Sequence, residues 1–529
     1  MRRRSVLGGL AATPLAAMPG TPALAQGAAA RTLRVVPQAN LTSLDPVWTT
    51  AVVTRVHAYM VYDQLVAMDE GFTPRPQMVE GWTTEDDGKR WVFTLREGLR
   101  FHDGEKVLAR DCVASIRRWW VRDTVAQLLA ARTDSLTALD DRRFELRLKL
   151  PFPTLLAALG KASPSPLFIM PARLAATDPF QQVADPTGSG PFRFLRDEWN
   201  PGSRAVWARF DGYVPRQEPV SGTAGGKQAR VSRVEWSIQT DPATAANALI
   251  AGEQDYWEYP LHDLLPLLRG SRGVVVAQRL SQGTYGCLRM NHIQPPFDDP
   301  AVRRALAMAV DQRDYLRAVA GDEPGGWEVC EGFYTCHSPL ATEAGNAILR
   351  TRSVERGRAA LARTGYRGEK VVLMAPADYP QINALSLVTA DLLQRLGFNL
   401  ELVSTDWGTV IQRRVSREPV ERGGWSVIHT TWAGSDVLNP AIHQYVRANG
   451  RNAWFGWPDD PTIERLRSEW FDAPDAAAQK QLAEAIQLRA FEVLPYVPLG
   501  FYWQPSAWRQ NVTGTFRAPI TAYWNVGKG

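Results

Sequence analysis

At 529 residues the chain is too long for a single hydrophobic core, so two or three domains are expected. Hydrophobic residues make up 45% and charged residues 22%, the balance of a soluble globular protein, and a formal charge of +5 falls to +2 once the first 25 residues are set aside, with Arg2, Arg3, Arg4 and no acid. So small an excess leaves no basic footprint for nucleic acid, and none is expected as a partner.

The chain opens on three arginines, follows them with a small apolar run at 6–18, and reaches Ala23-Leu24-Ala25, the small residues of a cleavage site. Residues 1–25 therefore read as an export signal peptide. Arg3-Arg4-Ser5-Val6-Leu7 also fits the twin-arginine pattern, although a short basic start serves the general route as well. The apolar run falls short of the roughly 20 residues that span a bilayer, and no later segment reaches that length. Without a cysteine after the cleavage site to carry lipid, the mature chain is expected in the periplasm, free or tethered at its surface.

Cysteine usage fits that compartment. Cys330 and Cys336 lie in a loop rich in glycine and aromatic residues, where oxidising conditions favour a disulfide, whereas Cys112 and Cys287 sit in apolar contexts and read as buried thiols. The seven histidines include no pair at i, i+4, and no C-x-x-C occurs, so neither a metal site nor a cofactor is expected.

Taken in order, residues 32–36 form a short strand, Leu44-Asp45-Pro46 a turn, and 54–65 a helix. Asp86-Asp87-Gly88 is turn chemistry, followed by an aromatic and β-branched strand at 91–95, a second turn at Phe101-His102-Asp103-Gly104, and a helix over 109–120. Val113, Ile116, Trp119 and Trp120 recur there at helical spacing, which predicts one apolar side laid on the sheet. Residues 143–148 alternate apolar and charged, as a strand buried on one side does. The run 186–194, with Gly188, Gly190 and Pro191, marks a turn into another strand. It cannot cradle phosphate, because no Lys-Ser/Thr follows and no helix opens there.

Further strands are predicted at 234–238 and 274–276, with a helix over 244–251 ending at Gly252. Residues 285–291 then cross to a second lobe, where Asp299 caps a helix that begins at Pro300. Strands at 371–374, 398–403 and 425–431 alternate with helices at 381–396 and 407–415, a pattern that predicts a mostly parallel sheet covered by helices. A last long helix runs over 476–493, and 495–499 are expected to take the chain back to the first lobe.

Several of these pieces, in this order, resemble the family 5 (peptide, oligopeptide and nickel type) solute-binding proteins of ABC importers. The resemblance rests on Asp87-Gly88, the strand 91–96, the phrase 101–105 (FHDGE), Ala109-Arg110-Asp111 through Ser115, the loop 187–192 against the family's GTGPY, and the long match at 295–312. It implies an α/β, bilobal, periplasmic-binding-protein-like fold of the class II type, with an extra inserted domain and two α/β lobes joined by a hinge. Lobe I would comprise 32–62, 186–282 and 490–529, the inserted domain 63–185, and lobe II 283–489. Such a protein captures a small solute, by family default a di- or oligopeptide, and delivers it to the permease and ATPase subunits of the importer; a monomer is expected.

Ligands of open parallel sheets sit beyond the carboxyl ends of strands, which selects Trp407 and the loop 432–440. That loop resembles the family's W.gDy.DP segment, whose first Asp pairs with the α-amino group of bound peptides. Ser435 stands in the place of that Asp unless the loop slips by one residue, which brings in Asp436, and Asn439 replaces the second Asp. Trp432 is the expected aromatic platform, with Gly434, Ser435 and Asp436 beside it. Trp48 and Thr49 inherit a place at the cleft from the family, and Tyr285 and Trp503 are candidate walls near the crossings. Arg289 is a candidate for a ligand carboxylate or a structural ion pair. The hairpin and helix at 81–120 are expected to lie far from these loops. Two other readings stand beside a binding protein: a secreted hydrolase, for which neither G-x-S-x-G nor H-E-x-x-H is present, and a sensory or chaperone protein on the same fold.

Overall fold

Residues 32–280, 283–323, 325–336, 338–473 and 475–529 are described by the structure, a computed structural model, and the expected export signal lies outside them. Three sheets of four or more strands organise these residues. The first has seven strands, in the order Val274–Ala277, Ser506–Arg509, Tyr256–Trp257, Thr32–Val36, Arg233–Ser237, Arg204–Arg209 and Phe192–Phe194. Thr32–Val36 runs parallel to both its neighbours, with Leu33 and Val35 wholly buried.

The second sheet has six strands, in the order Trp327–Glu328, Val497–Tyr502, Thr284–Met290, Val427–Ala433, Lys370–Pro376 and Asn399–Thr405. Only the last three are parallel to one another; the other pairings are antiparallel, so the sheet is mixed and not mostly parallel. The strands alternating with helices follow the parallel rule. Those by which the chain enters and leaves the sheet, Thr284–Met290 and Val497–Tyr502, follow their own direction of travel.

Because Val497–Tyr502 belongs to this sheet, the return to the first sheet comes after Tyr502 and not at 495–499, and 497–502 do not belong with the first-lobe segment 490–529. All six residues of the strand are buried, as a central strand covered on both faces requires. Two connections thus join the first and second sheets, one following Ala277 and one following Tyr502.

A third sheet, Val79–Glu85, Arg90–Leu95, Arg143–Leu148 and Thr133–Ala138, is antiparallel throughout and carries a core of its own around Phe93, Ile116, Trp119 and Phe144. Helix Ala109–Arg122 packs on it as its apolar spacing predicts, with Val113, Ile116 and Trp119 buried. The polar residues of the same helix fix the next segment. Asp111 accepts from the backbone N–H groups of Leu108 and Ala172, and the Ser115 hydroxyl exchanges hydrogen bonds with the backbone of Met170.

The glycines of the 186–194 turn are needed for close approach. A Cβ on Gly188 would stand 2.0 Å from the Val61 carbonyl oxygen, and one on Gly190 2.5 Å from that of Met60. The FHDG turn closes on the same loop, since His102 donates its backbone N–H to the Gly188 carbonyl while its ring meets Gly188 N and Gly190 O. Cys330 and Cys336 form a disulfide with Cα atoms 5.9 Å apart, and Cys112 and Cys287 are buried free thiols.

Candidate functional site

The turn at Asp45 places the first wall of the site. Arg118 grips the Asp45 carboxylate with two nitrogens, at 3.1 and 2.8 Å, in a pair with no exposed side-chain surface on either partner. Asp45 in turn accepts from the backbone N–H groups of Val47 and Val183. Arg122, one turn further along the helix, donates to the Trp48 carbonyl at 2.9 Å. The helix Ala109–Arg122 therefore holds the 45–51 loop, and its last turn, Val121 and Arg122, borders the cleft; the expectation that this block lies far from the ligand loops is corrected.

Helix Val52–Val61 leaves that loop and carries Arg55 into the space between the sheets. From the second sheet, the strand Val427–Ala433 ends facing it and winds into the short turn Gly434–Val437. Asp436 on this turn is 1% exposed, with Oδ2 3.9 Å from Arg55 Nη1. Burial pushes its carboxyl above the usual carboxylate range, opposed by Arg55, by a hydrogen bond from Ser163 and by Lys161. Its Oδ1 finds no hydrogen-bond partner among the described residues.

Elements of both sheets close an inner cavity here. Gln38, Thr50 and Arg55 face Tyr379, Trp407, Arg414, Trp432, Asp436 and Tyr445 across it. Trp432 lies flat on Tyr445 and meets Trp454 and Tyr496 edge-on. Arg414 is buried, 4.7 Å from the Phe455 ring centroid, 5.4 Å from that of Trp454 and 5.9 Å from that of Trp407. Burial pulls its guanidinium down to about 10. Outside Arg414 and Trp454 opens a chamber of about 490 Å³, lined by Trp48, Arg122, Phe180, Arg417, Arg451 and Trp457 among others. The arrangement can enclose a small solute, with aromatic faces for its apolar parts and fixed charges for its polar ends.

The model of the bacterial extracellular solute-binding proteins, family 5, matches residues 73–454. The chain belongs to this family. A probable peptide ABC transporter periplasmic-binding protein, y4tO of Sinorhizobium fredii, is 37% identical over 95% of this chain and 94% of its own length. Among solved structures, AgaA of A. tumefacien R10 in complex with agropinic acid superposes with a TM-score of 0.77 at 22% identity, over 94% of this chain and 99% of that one. DppA of Helicobacter pylori in complex with the peptide STSA superposes with a TM-score of 0.77 at 19% identity, over 94% and 98%. These likenesses carry the bilobal periplasmic-binding-protein fold. The chain is accordingly a solute-binding protein of the ABC-importer type and not a hydrolase.

Within this family 5 protein, the residues selected from sequence fall into three groups. Trp407, Trp432 and Asp436 line the inner cavity, and Trp48 lines the outer chamber. Thr49, Gly434 and Ser435 are buried beside them: Thr49 accepts a hydrogen bond from Arg414, Gly434 N–H bonds the Gly283 carbonyl, and the Ser435 hydroxyl has no partner among the described residues. Tyr285 and Trp503 line neither space. The Tyr285 hydroxyl meets Thr335 Oγ1, Cys336 N–H and Cys330 Sγ, and its phenol is pushed up to about 12 by burial. Trp503 holds the connection after Tyr502, through His262 and Gly326.

Arg289 meets neither a carboxylate nor the cavity; it donates to four backbone carbonyls, those of Tyr445, Trp454, Phe455 and Pro495, and so shapes the loop behind the aromatic cluster. Sequence reasoning passed over Arg55 and Arg414. The signal for Arg414 was present: Trp407, Val410, Ile411 and Arg414 follow the i, i+3, i+4, i+7 spacing of one buried helical face, so a charge lands on the apolar stripe. Arg55 is the one charged residue on helix Val52–Val61, which is otherwise apolar but for Thr54 and His57.

Proposed function

We propose that this protein is the periplasmic solute-binding component of an ABC importer, closing two lobes on a peptide-like solute and presenting it to the permease and ATPase subunits. The observation that carries the reading is the cavity walled from both lobes, with Arg55 and Asp436 facing each other across it. Closure around a hinge removes water from such a site and strengthens its charge contacts. The kinship with the probable peptide-transporter protein of Sinorhizobium fredii and the peptide bound in the Helicobacter pylori structure favour peptides over other solutes.

In this reading the first sheet forms lobe I, the second lobe II, and residues 63–185 an inserted domain, with the connections after Ala277 and Tyr502 as the hinge. Residues 1–25 direct export and are removed, and the mature protein works as a monomer. The test is calorimetric titration of the purified mature chain with di- to pentapeptides, alongside mass spectrometry of what co-purifies with it. Saturable binding of at least one peptide without turnover is expected. Absence of binding across the panel, with a non-peptide molecule recovered from the protein, would replace the peptide with that solute.

A further inference from the structure

We infer that Arg414 is an anion-binding residue of the solute site, and that the solute presents a carboxylate to it inside the closed cleft. This rests on the binding-protein reading above and adds the chemical character of the ligand. The observation is the company Arg414 keeps. At 1% exposed it is among the largest fully buried side chains, yet its only side-chain hydrogen bond among the described residues runs from Nη2 to Thr49 Oγ1 at 3.1 Å, and its Nε has no partner. No carboxylate among the described residues lies within ion-pair distance of it.

Three other deeply buried arginines are provided for differently. Arg118 has both oxygens of Asp45, Arg289 has four backbone carbonyls, and Arg467 has the Pro440 carbonyl with Glu464 at 3.6 Å. Taking a guanidinium out of water is costly unless its donors are met. The Trp407, Trp454 and Phe455 rings around Arg414 offer cation–π contact, which attracts the charge but satisfies no N–H.

Position turns this deficit into a binding feature. Arg414 lines the inner cavity, whose charged walls are Arg55, Arg414 and Asp436; two cations against one anion leave an excess of +1. The adjoining chamber adds Arg122, Arg417 and Arg451 and no acidic side chain. A planar carboxylate fits the fork of guanidinium donors, and its charge balances the site. Thr49, on the first-lobe loop, holds the guanidinium across the cleft, so a bound anion would tie the lobes together.

The carboxylate can come from an acidic side chain or from a peptide C-terminus, and the experiment separates the two. Calorimetry on the mature protein compares Ala-Glu-Ala, Ala-Gln-Ala and the C-terminal amide of Ala-Glu-Ala, with wild type, Arg414→Gln and Arg414→Lys. Wild type is expected to lose at least about tenfold in affinity when one of the two carboxylates is neutralised. That discrimination should vanish in Arg414→Gln and return in part in Arg414→Lys. Loss on removing the side-chain acid assigns the acid to Arg414; loss on amidation assigns the C-terminus.

Equal binding of all three peptides to wild type, or discrimination retained in Arg414→Gln, overturns the inference while leaving peptide binding intact. Failure of every peptide to bind would overturn the peptide reading and this inference with it. A second readout guards against a purely structural role: the ligand-free Arg414→Met protein should melt at or above the wild-type temperature, because an ill-satisfied charge has been removed. A marked fall would assign Arg414 to the scaffold and overturn the proposal.

Discussion

The indole of Trp432 lies on the phenol ring of Tyr445, with ring centroids 3.5 Å apart and planes 9° from parallel. Both rings line the inner cavity, yet Trp432 is only 4% exposed and is wedged edge-on against Trp454 and Tyr496. A platform this deeply packed belongs to the core beside the second sheet as much as to the cavity wall. Trp432→Ala should therefore weaken peptide binding and also destabilise the fold, by about 3–5 kcal/mol for a buried Trp truncation. Trp432→Phe should retain most of the stability. Denaturant unfolding with calorimetry on both variants checks this; an unchanged melting temperature in Trp432→Ala would mean that the stack does not persist in solution.

Arg55 on helix Val52–Val61 and Asp436 on the turn Gly434–Val437 face each other across the cavity, and the pair predicts a pH effect. The Asp436 carboxyl lies above its unfolded range because burial outweighs the pull of Arg55. A raised acid contributes stability below its unfolded pKa and loses it as pH climbs through the folded value. Arg55→Met removes the cation facing Asp436, so the carboxyl should rise further and stability should decline more steeply between pH 5 and pH 8 than in wild type. Breaking a buried pair should also cost about 3–5 kcal/mol near neutral pH. Melting temperatures across that range are the measurement, and parallel curves for the two proteins would remove Arg55 as the group that opposes the rise of the Asp436 carboxyl.

Much of the architecture was legible because periodicity reports burial directly. The cap at Asp299 with Pro300 after it, the left-handed Gly397 that ends helix Pro380–Leu396, and the helix Ala476–Val493 all stand where local chemistry puts them. Connectivity was less legible. Val497–Tyr502 is an apolar run whose residues cannot say which sheet they join, and it joined the second. In the candidate site, Trp432 and Asp436 could be reached from strand ends, whereas Tyr285 points its hydroxyl at the disulfide loop, away from the cavity. Arg55 and Arg414 went unread because a lone arginine on a helix is ordinarily a solvated side chain; the apolar stripe that Arg414 shares with Trp407, Val410 and Ile411 was the sign that it is buried.

The disulfide and the buried thiols make a redox prediction. Cys330 and Cys336 close a short loop whose Cys336 N–H donates to the Tyr285 hydroxyl. By loop-closure entropy the cross-link should contribute about 2 kcal/mol. Dithiothreitol should lower the melting temperature of wild type and leave that of a Cys330→Ala/Cys336→Ala protein unaffected. Cys112 and Cys287 are fully buried, with thiols pushed well up by burial, so they should ignore a thiol reagent in the folded protein and yield two equivalents after denaturation. Reaction of the native protein at either thiol would contradict their burial.

Glu258 carries the sharpest pH prediction. It is wholly buried where the strand Tyr256–Trp257 ends, and burial raises its carboxyl from 4.5 to about 7, against hydrogen bonds from the Tyr523 hydroxyl and from Gln38 N–H at 2.8 Å. The Gln38 side chain accepts from the Tyr379 hydroxyl at 2.8 Å, and both residues line the inner cavity, which links this carboxyl to it. Below the unfolded pKa the group is protonated in both states and adds no pH dependence. Between 4.5 and about 7 the folded protein holds a proton that the unfolded chain has released, so stability falls as pH rises and levels off above the folded value. A shift of this size corresponds to about 3 kcal/mol. Glu258→Gln, which stays neutral, should match wild type near pH 4 and exceed it in stability increasingly up to pH 8. Unfolding free energies at intervals across that range test the claim, and a difference that stays constant with pH would show that the folded protein binds the Glu258 proton no more tightly than the unfolded chain does.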